Sequence, residues 1–346
     1  MCTEADVAAG VGLAQGAGHA YAGDNRLRYG HPERKPCLAE DDVLCVGEGP
    51  VTVVALHGIQ GTRAAWLPLA RQLADRCTFI LPNLPGRGTA AAPPDARDCS
   101  LEAYAAVVAR VIETHVVARA AVCADSHTGT QTGAHTGAHT GTHTGTHTGT
   151  HTAAPFVLAG WSMGVSVALA YLRQARHAAQ RHAGPGMGTG AARANVAPPM
   201  PAALLLVSGT PCLRQVAWFA SPGDAVLADP PLTGLPPTEP APTLLDDIAA
   251  RERRLGLAEA AGHRTVAWTW MAIRRTDQRA ELAAVNCPTL VVHGSADHDC
   301  PLAHGTMLAE GIAGAELLVL QGAGHSVLTE RTADIAAYLR TRWPAS

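Results

Sequence analysis

A chain of 346 residues is long enough for one large α/β domain with additions, and 47% hydrophobic content supplies a sizeable core. The net charge of −3 excludes a global pull toward nucleic acid or an anionic membrane, so charge-based recognition must be local. Nine scattered cysteines without a Cys-x-x-Cys pair read as reduced structural thiols, not as a disulfide framework. The stretch Met1-Cys-Thr-Glu-Ala-Asp6 has no signal-peptide pattern, and no run is long and apolar enough for a membrane span. A cytoplasmic monomer with no nucleic-acid or membrane partner is expected.

Residues 1–45 mix Gly, Ala and charge without a sustained period, which reads as an irregular segment with a short strand at Arg26-Leu-Arg-Tyr29. Pro50-Val-Thr-Val-Val-Ala-Leu-His-Gly58 is a β-branched run of the kind buried on both faces of a parallel sheet. Helical spacing over 64–74, a strand at 77–81 and a turn at Pro82-Asn-Leu-Pro-Gly-Arg-Gly88 follow. An amphipathic helix is predicted from Leu101 to about Val122, with Tyr104, Val107, Val108, Val111 and Ile112 on one side.

From His127 to Thr152 the chain repeats His-Thr-Gly-Thr or His-Thr-Gly-Ala. A helix would align His135, His139, His143, His147 and His151, but a glycine in every unit costs about 1 kcal/mol each relative to alanine. The tract therefore reads as a disordered loop over 126–152, and no metal site is expected in it.

Phe156-Val-Leu-Ala-Gly-Trp-Ser-Met-Gly164 and the Ala/Val/Leu-rich segment after it read as strand, sharp turn and helix. Gly160 and Gly164 let the two backbones pass closely, and Ser162 is lifted clear of the turn, where its hydroxyl can attack an acyl carbon. A Gly/Ala/Pro-rich loop is read at 177–201, followed by the strand in Ala202–Cys212. Residues 213–285 interrupt the strand-helix alternation with helices at 244–260 and 264–283, a cap over the carboxyl ends of the strands. Alternation resumes with strands near 288–294 and 316–320 and helices near 302–309 and 332–342, completing a core of 46–212 and 286–346. The class is α/β, with a mostly parallel, doubly wound sheet.

A serine nucleophile needs a histidine to take its proton and a carboxylate to hold the imidazole. His325 follows the last strand in Gly322-Ala-Gly-His-Ser326, and Asp297 or Asp299 follows the strand before it in Gly294-Ser-Ala-Asp-His-Asp-Cys-Pro301. An oxyanion requires two backbone N–H groups, expected from Met163, after the nucleophile, and Ile59, after His57-Gly58. His57 is read as a support for its loop. Trp66, Tyr104 and Trp161 are candidate pocket aromatics, against a plain core role.

Together, His57-Gly-Ile-Gln-Gly61, Leu84-Pro-Gly-Arg-Gly88, Gly160-Trp-Ser-Met-Gly164, Gly294-x-x-Asp297-x-x-x-Pro301 and Gly324-His325 resemble the α/β-hydrolase superfamily over about 50–346. The resemblance implies the α/β-hydrolase fold with a helical cap after the sixth strand, and a serine hydrolase without metal or organic cofactor. It assigns Ser162 as nucleophile, Asp297 as acid by its Gly-x-x-Asp position, His325 as base, and Ile59 and Met163 as oxyanion donors. Gly-Trp-Ser-Met-Gly with Ser208-x-Thr-Pro-Cys212 is similar to the pimeloyl-[acyl-carrier protein] methyl ester carboxylesterases of biotin synthesis. That narrower resemblance implies an acyl-carrier protein partner, docked on cap arginines such as Arg274 and Arg275; Trp161 is the aromatic read as a substrate-binding residue. A general small-ester hydrolase, a C–C bond hydrolase with the same triad, and a non-catalytic receptor are the alternatives. Asn83 stands where an Asp commonly precedes Leu-Pro-Gly, and Val165 where a small residue is common.

Overall fold

The computed structural model describes residues 42–117, 155–182, 197–216, 218–219, 239–255 and 261–342, all within the unit Cys37–Ser346. Their strands are β1 (Val43–Val46), β2 (Val51–Leu56), β3 (Cys77–Pro82), β4 (Phe156–Trp161), β5 (Ala203–Val207), β6 (Thr289–Gly294) and β7 (Glu316–Leu320). They form one sheet in the order β1-β3-β2-β4-β5-β6-β7, with β1 antiparallel to β3 and the other pairs parallel. The strand order reverses beside β2, so the carboxyl ends of β2 and β4 flank the crevice where parallel α/β sheets carry their sites.

Both faces of the sheet are covered, which is why its strands read as continuous apolar runs. Period-two alternation divides them cleanly. Val54, Leu56, Ile80, Leu158, Leu204 and Leu206 face one core layer with helices α2 (Leu101–Ile112) and α3 (Met163–His182). Val53, Ala55, Phe79, Leu81, Val157, Ala159, Leu205 and Val207 face the other, against α1 (Leu67–Gln72) and the C-terminal helix.

The helices that follow are α4 (Pro242–Leu255), α5 (His263–Ile273), α6 (Leu302–Gly311), the short α7 (Val327–Glu330) and α8 (Thr332–Arg342). Helices α4 and α5 lie between β5 and β6, so among the described residues the helical insertion follows the fifth strand in chain order. The strand read at 26–29 and the His-Thr-Gly tract lie outside the described residues. No helix among the described residues is long and apolar enough to cross a membrane.

Three elements differ from expectation. Helix α3 runs to His182, six residues into the stretch read as a loop from 177, because His-Ala-Ala-Gln-Arg-His contains good helix formers and the glycines begin only at Gly184. The single helix expected over 264–283 stops at Ile273. There Asp277 accepts from the Arg279 N–H and guanidinium and forms a bridge with Cys212, so the chain resumes as a 3-10 turn at Arg279–Ala284. Helix α2 ends at Ile112 and continues as a π-turn to Val117.

Candidate active site

The site is assembled from loops at the carboxyl ends of β2, β4, β6 and β7. Ser162 has φ of +57°, a left-handed conformation that costs a non-glycine residue about 1 kcal/mol. The crossing of β4 and α3 imposes it. A Cβ on Gly160 would lie 2.5 Å from the Gly164 carbonyl, and one on Gly164 would lie 2.4 Å from the Leu56 oxygen. Both glycines are therefore required for the close approach that projects the serine.

The Ser162 hydroxyl donates to His325 Nε2 at 2.9 Å, and the His325 Nδ1–H donates to Asp297 at 2.9 Å to Oδ2 and 3.1 Å to Oδ1. Asp297 Oδ1 also accepts the Cys300 N–H at 2.8 Å, which restrains the carboxylate beside the imidazole. All three side chains are buried. Asp299 instead meets the cap, with Arg254 Nη2 at 3.1 Å and Arg251 Nε at 3.5 Å. The two carboxylates left open by spacing are thus separated by geometry.

Behind Asp297, the His293 Nε2–H donates to the Cys300 carbonyl at 2.7 Å and lies 3.5 Å from Asp297 Oδ2. Burial holds His293 below the usual imidazole range, so it stays neutral beside the carboxylate. Trp161 braces the other side: its Nε1–H donates to the His325 carbonyl at 3.0 Å, and its ring lies 5.5 Å from the imidazole.

The N–H groups of Ile59, which lines the cleft, and of Met163, directly after Ser162, make no hydrogen bond among the described residues. Met163 opens α3, where the first N–H groups have no intrahelical acceptor and the helix dipole favours negative charge. The peptide carrying the Ile59 N–H is fixed through its other end. The Gly58 carbonyl accepts both His57 Nδ1–H at 2.8 Å and the Gly61 N–H at 3.2 Å. His57 Nε2 in turn accepts the Leu84 N–H at 2.9 Å. Complete burial pushes the His57 pKa down to about 3, so the ring is neutral and its tautomer is set by these two partners. This matches the support role read for it.

Arg87 completes that support, and sequence reasoning assigned it no role. Its fully buried guanidinium donates from Nε and Nη2 to the Ile59 carbonyl, from Nη1 to the Pro85 carbonyl and Tyr104 Oη, and from Nη2 to Thr269 Oγ1 of α5. One planar fork thereby joins the Ile59 loop, α2 and the cap. Lysine cannot reproduce it. Arg87→Lys is expected to lower stability by at least about 2 kcal/mol, read by urea unfolding, because several neutral acceptors lose a charge-assisted partner. The signal of Arg87 in the sequence was its place in Leu84-Pro-Gly-Arg-Gly88, a lone charge among glycines and apolar residues.

The departures from the family pattern are compensated nearby. Asn83 accepts the Arg63 N–H at 2.8 Å and donates to Asp42 at 2.8 Å, so Asp42 supplies the carboxylate that position 83 lacks. Val165 is accommodated by Gly209, where a Cβ would come within 2.2 Å of the valine Cγ2.

A cleft opens over the serine, lined by Gly58, Ile59, Gln60, Trp161, Ser162, Arg251, Leu255 and His325, together with Gly61. Of the three candidate aromatics only Trp161 lines it. Trp66 is buried in the core with its Nε1–H on the Leu56 carbonyl, and Tyr104 is held by Arg87 and Thr269. Arg274 and Arg275 do not line the cleft; Arg274 caps α5 and the exposed Arg275 follows it. Among the described residues, no group of three or more His, Cys, Asp or Glu side chains could hold a metal ion.

With this geometry in view, the family model for the alpha/beta hydrolase family matches residues 53–338. The chain belongs to the alpha/beta hydrolase family. Within this family, the AB hydrolase superfamily protein YisY of Bacillus subtilis is 34% identical over 79 residues, a match that spans 23% of this chain and 29% of that protein. Among solved structures, the esterase EaEST from Exiguobacterium antarcticum superposes with a TM-score of 0.55 at 18% identity, over 87% of this chain and 94% of that one. The enol-lactonase from Burkholderia xenovorans LB400 superposes with a TM-score of 0.53 at 18% identity, over 86% and 94%. At such identities the likeness is one of α/β-hydrolase fold.

Proposed function

We propose that this alpha/beta hydrolase is a serine carboxylesterase that works through an acyl-enzyme. The observation that carries the reading is the continuous hydrogen-bond chain from Ser162 Oγ through His325 to Asp297. Ser162 Oγ attacks the ester carbonyl carbon as His325 Nε2 takes its proton. Asp297 keeps the imidazole in the Nδ1–H tautomer and stabilises the imidazolium that forms. Negative charge on the carbonyl oxygen falls between the Ile59 and Met163 N–H groups, which are already fixed and need no reorganisation. His325 then protonates the departing alcohol oxygen. Water, deprotonated by the same imidazole, cleaves the acyl-serine and frees the acid.

The narrower reading is that the substrate is the methyl ester of a pimeloyl group carried by an acyl-carrier protein in biotin synthesis. It is supported by the cap surface: Arg253 and Arg275 are exposed and make no ion pair among the described residues, whereas Arg254, Arg264 and Arg279 pair with Asp299, Glu239 and Asp277. Methanol release from the carrier-bound methyl ester, compared with a short p-nitrophenyl ester, tests it. A preference for the carrier-bound ester of at least tenfold, lost in Arg274→Glu/Arg275→Glu, is the expected result. Turnover of the short ester alone retires the carrier protein and leaves a general small-ester hydrolase.

A further inference from the structure

Arg251 projects from α4 into the cleft that holds Ser162, and its side chain is only 5% exposed. Its Nη1 donates to Gln60 Oε1 at 2.7 Å, and its guanidinium lies 5.4 Å from the Phe219 ring centroid. Those contacts are neutral. Its one carboxylate neighbour in salt-bridge range, Asp299, is shared with Arg254. Asp297 is held by His325 and the Cys300 N–H. Among the described residues Nε is buried without a hydrogen-bond acceptor, so a cation enters the cleft with a donor unused. A buried cation that shares its one near carboxylate with a second arginine is only partly compensated, and a further anion stabilises it.

We propose that Arg251 is the anion-binding residue of the cleft, and that the ester taken there carries a second, ionised carboxylate. The inference deepens the proposed function and rests on the cleft being its substrate site. A planar guanidinium suits a carboxylate by its fork geometry. Ser162 and Arg251 line the same cleft, so a single diacid monoester can present its ester to one and its carboxylate to the other. Gln60, whose Nε2–H donates to the Ile248 carbonyl at 2.9 Å, keeps the guanidinium aimed by tying α4 to the oxyanion loop.

The test measures binding by calorimetry to the full chain carrying Ser162→Ala, so that it does not depend on turnover. Monomethyl glutarate is compared with dimethyl glutarate for a carboxylate on the acyl side, and acetoxyacetate with its methyl ester for one on the alcohol side. In at least one pair the charged ester should bind tenfold or more tightly than the neutral one. Adding Arg251→Met should collapse that ratio toward one, and adding Asp299→Asn, which removes the competing carboxylate, should widen it several-fold. Equal affinity within both pairs, or no detectable binding of either charged ester, overturns the subsite. A ratio that survives Arg251→Met, or narrows in Asp299→Asn, also overturns it, whereas a mere staple between cap and core would weaken both members of a pair in proportion. Hydrolysis of these esters by the Ser162→Ala chain would instead overturn the nucleophile assignment, so the two failures are distinguishable.

Discussion

Ser162→Ala is expected to reduce ester turnover by about 10⁴- to 10⁶-fold and to leave the thermal unfolding midpoint essentially where it was. The loss is large because, in the proposed mechanism, the alanine removes the atom that forms the covalent bond, and the members of such a triad act as a unit. The stability expectation follows from the surroundings of the side chain. Its hydroxyl makes one hydrogen bond, to His325, and the left-handed φ of +57° is imposed by the crossing of β4 and α3. Alanine meets that strain equally. Residual turnover near the wild-type level in a correctly folded variant would remove the serine from the mechanism.

Asp297→Asn should cost about 10⁴-fold in kcat with little change in KM. The reason lies in the Cys300 N–H, which donates to Asp297 Oδ1 at 2.8 Å. An asparagine there must turn its carbonyl oxygen toward that N–H, which aims its NH₂ group at His325 Nδ1. A nitrogen facing a donor becomes an acceptor, so the imidazole proton moves to Nε2 and can no longer receive the serine hydroxyl. Asp299→Asn provides the contrast. Its carboxylate meets Arg254 and Arg251 and touches no triad member, so the loss should stay within about tenfold on a neutral ester. Equal losses in the two variants, measured on a short p-nitrophenyl ester, would contradict the assignment of Asp297.

Much of this was legible in the amino-acid sequence, for physical reasons. The strands β2, β4 and β5 are buried on both faces, so their apolar runs stand out without any alternating pattern. The elbow is legible because its glycines are sterically required on both sides of Ser162. His325 and Asp297 are legible because chemistry at a parallel sheet must come from loops at its carboxyl ends. Other features depend on distant partners. The Gln60 to Arg251 bond spans 191 positions, and Arg87 reaches Thr269 across 182, so no local pattern announces either. The break after Ile273 depends on a bridge between Asp277 and Cys212, far upstream in the chain. Propensity alone ran straight through it. The α3 extension was missed for the opposite reason, since Gly and Pro beyond 183 obscured a helix-forming stretch just before them.

The most direct measurement is intact-protein and peptide mass spectrometry on enzyme quenched during the first turnover of a p-nitrophenyl ester. A burst of p-nitrophenol, with the mass of the acyl group on the peptide containing Ser162 and none on the Ser162→Ala variant, is the expected result. Turnover with no adduct on that peptide, or an adduct that persists when Ser162 is replaced, would contradict the acyl-enzyme mechanism.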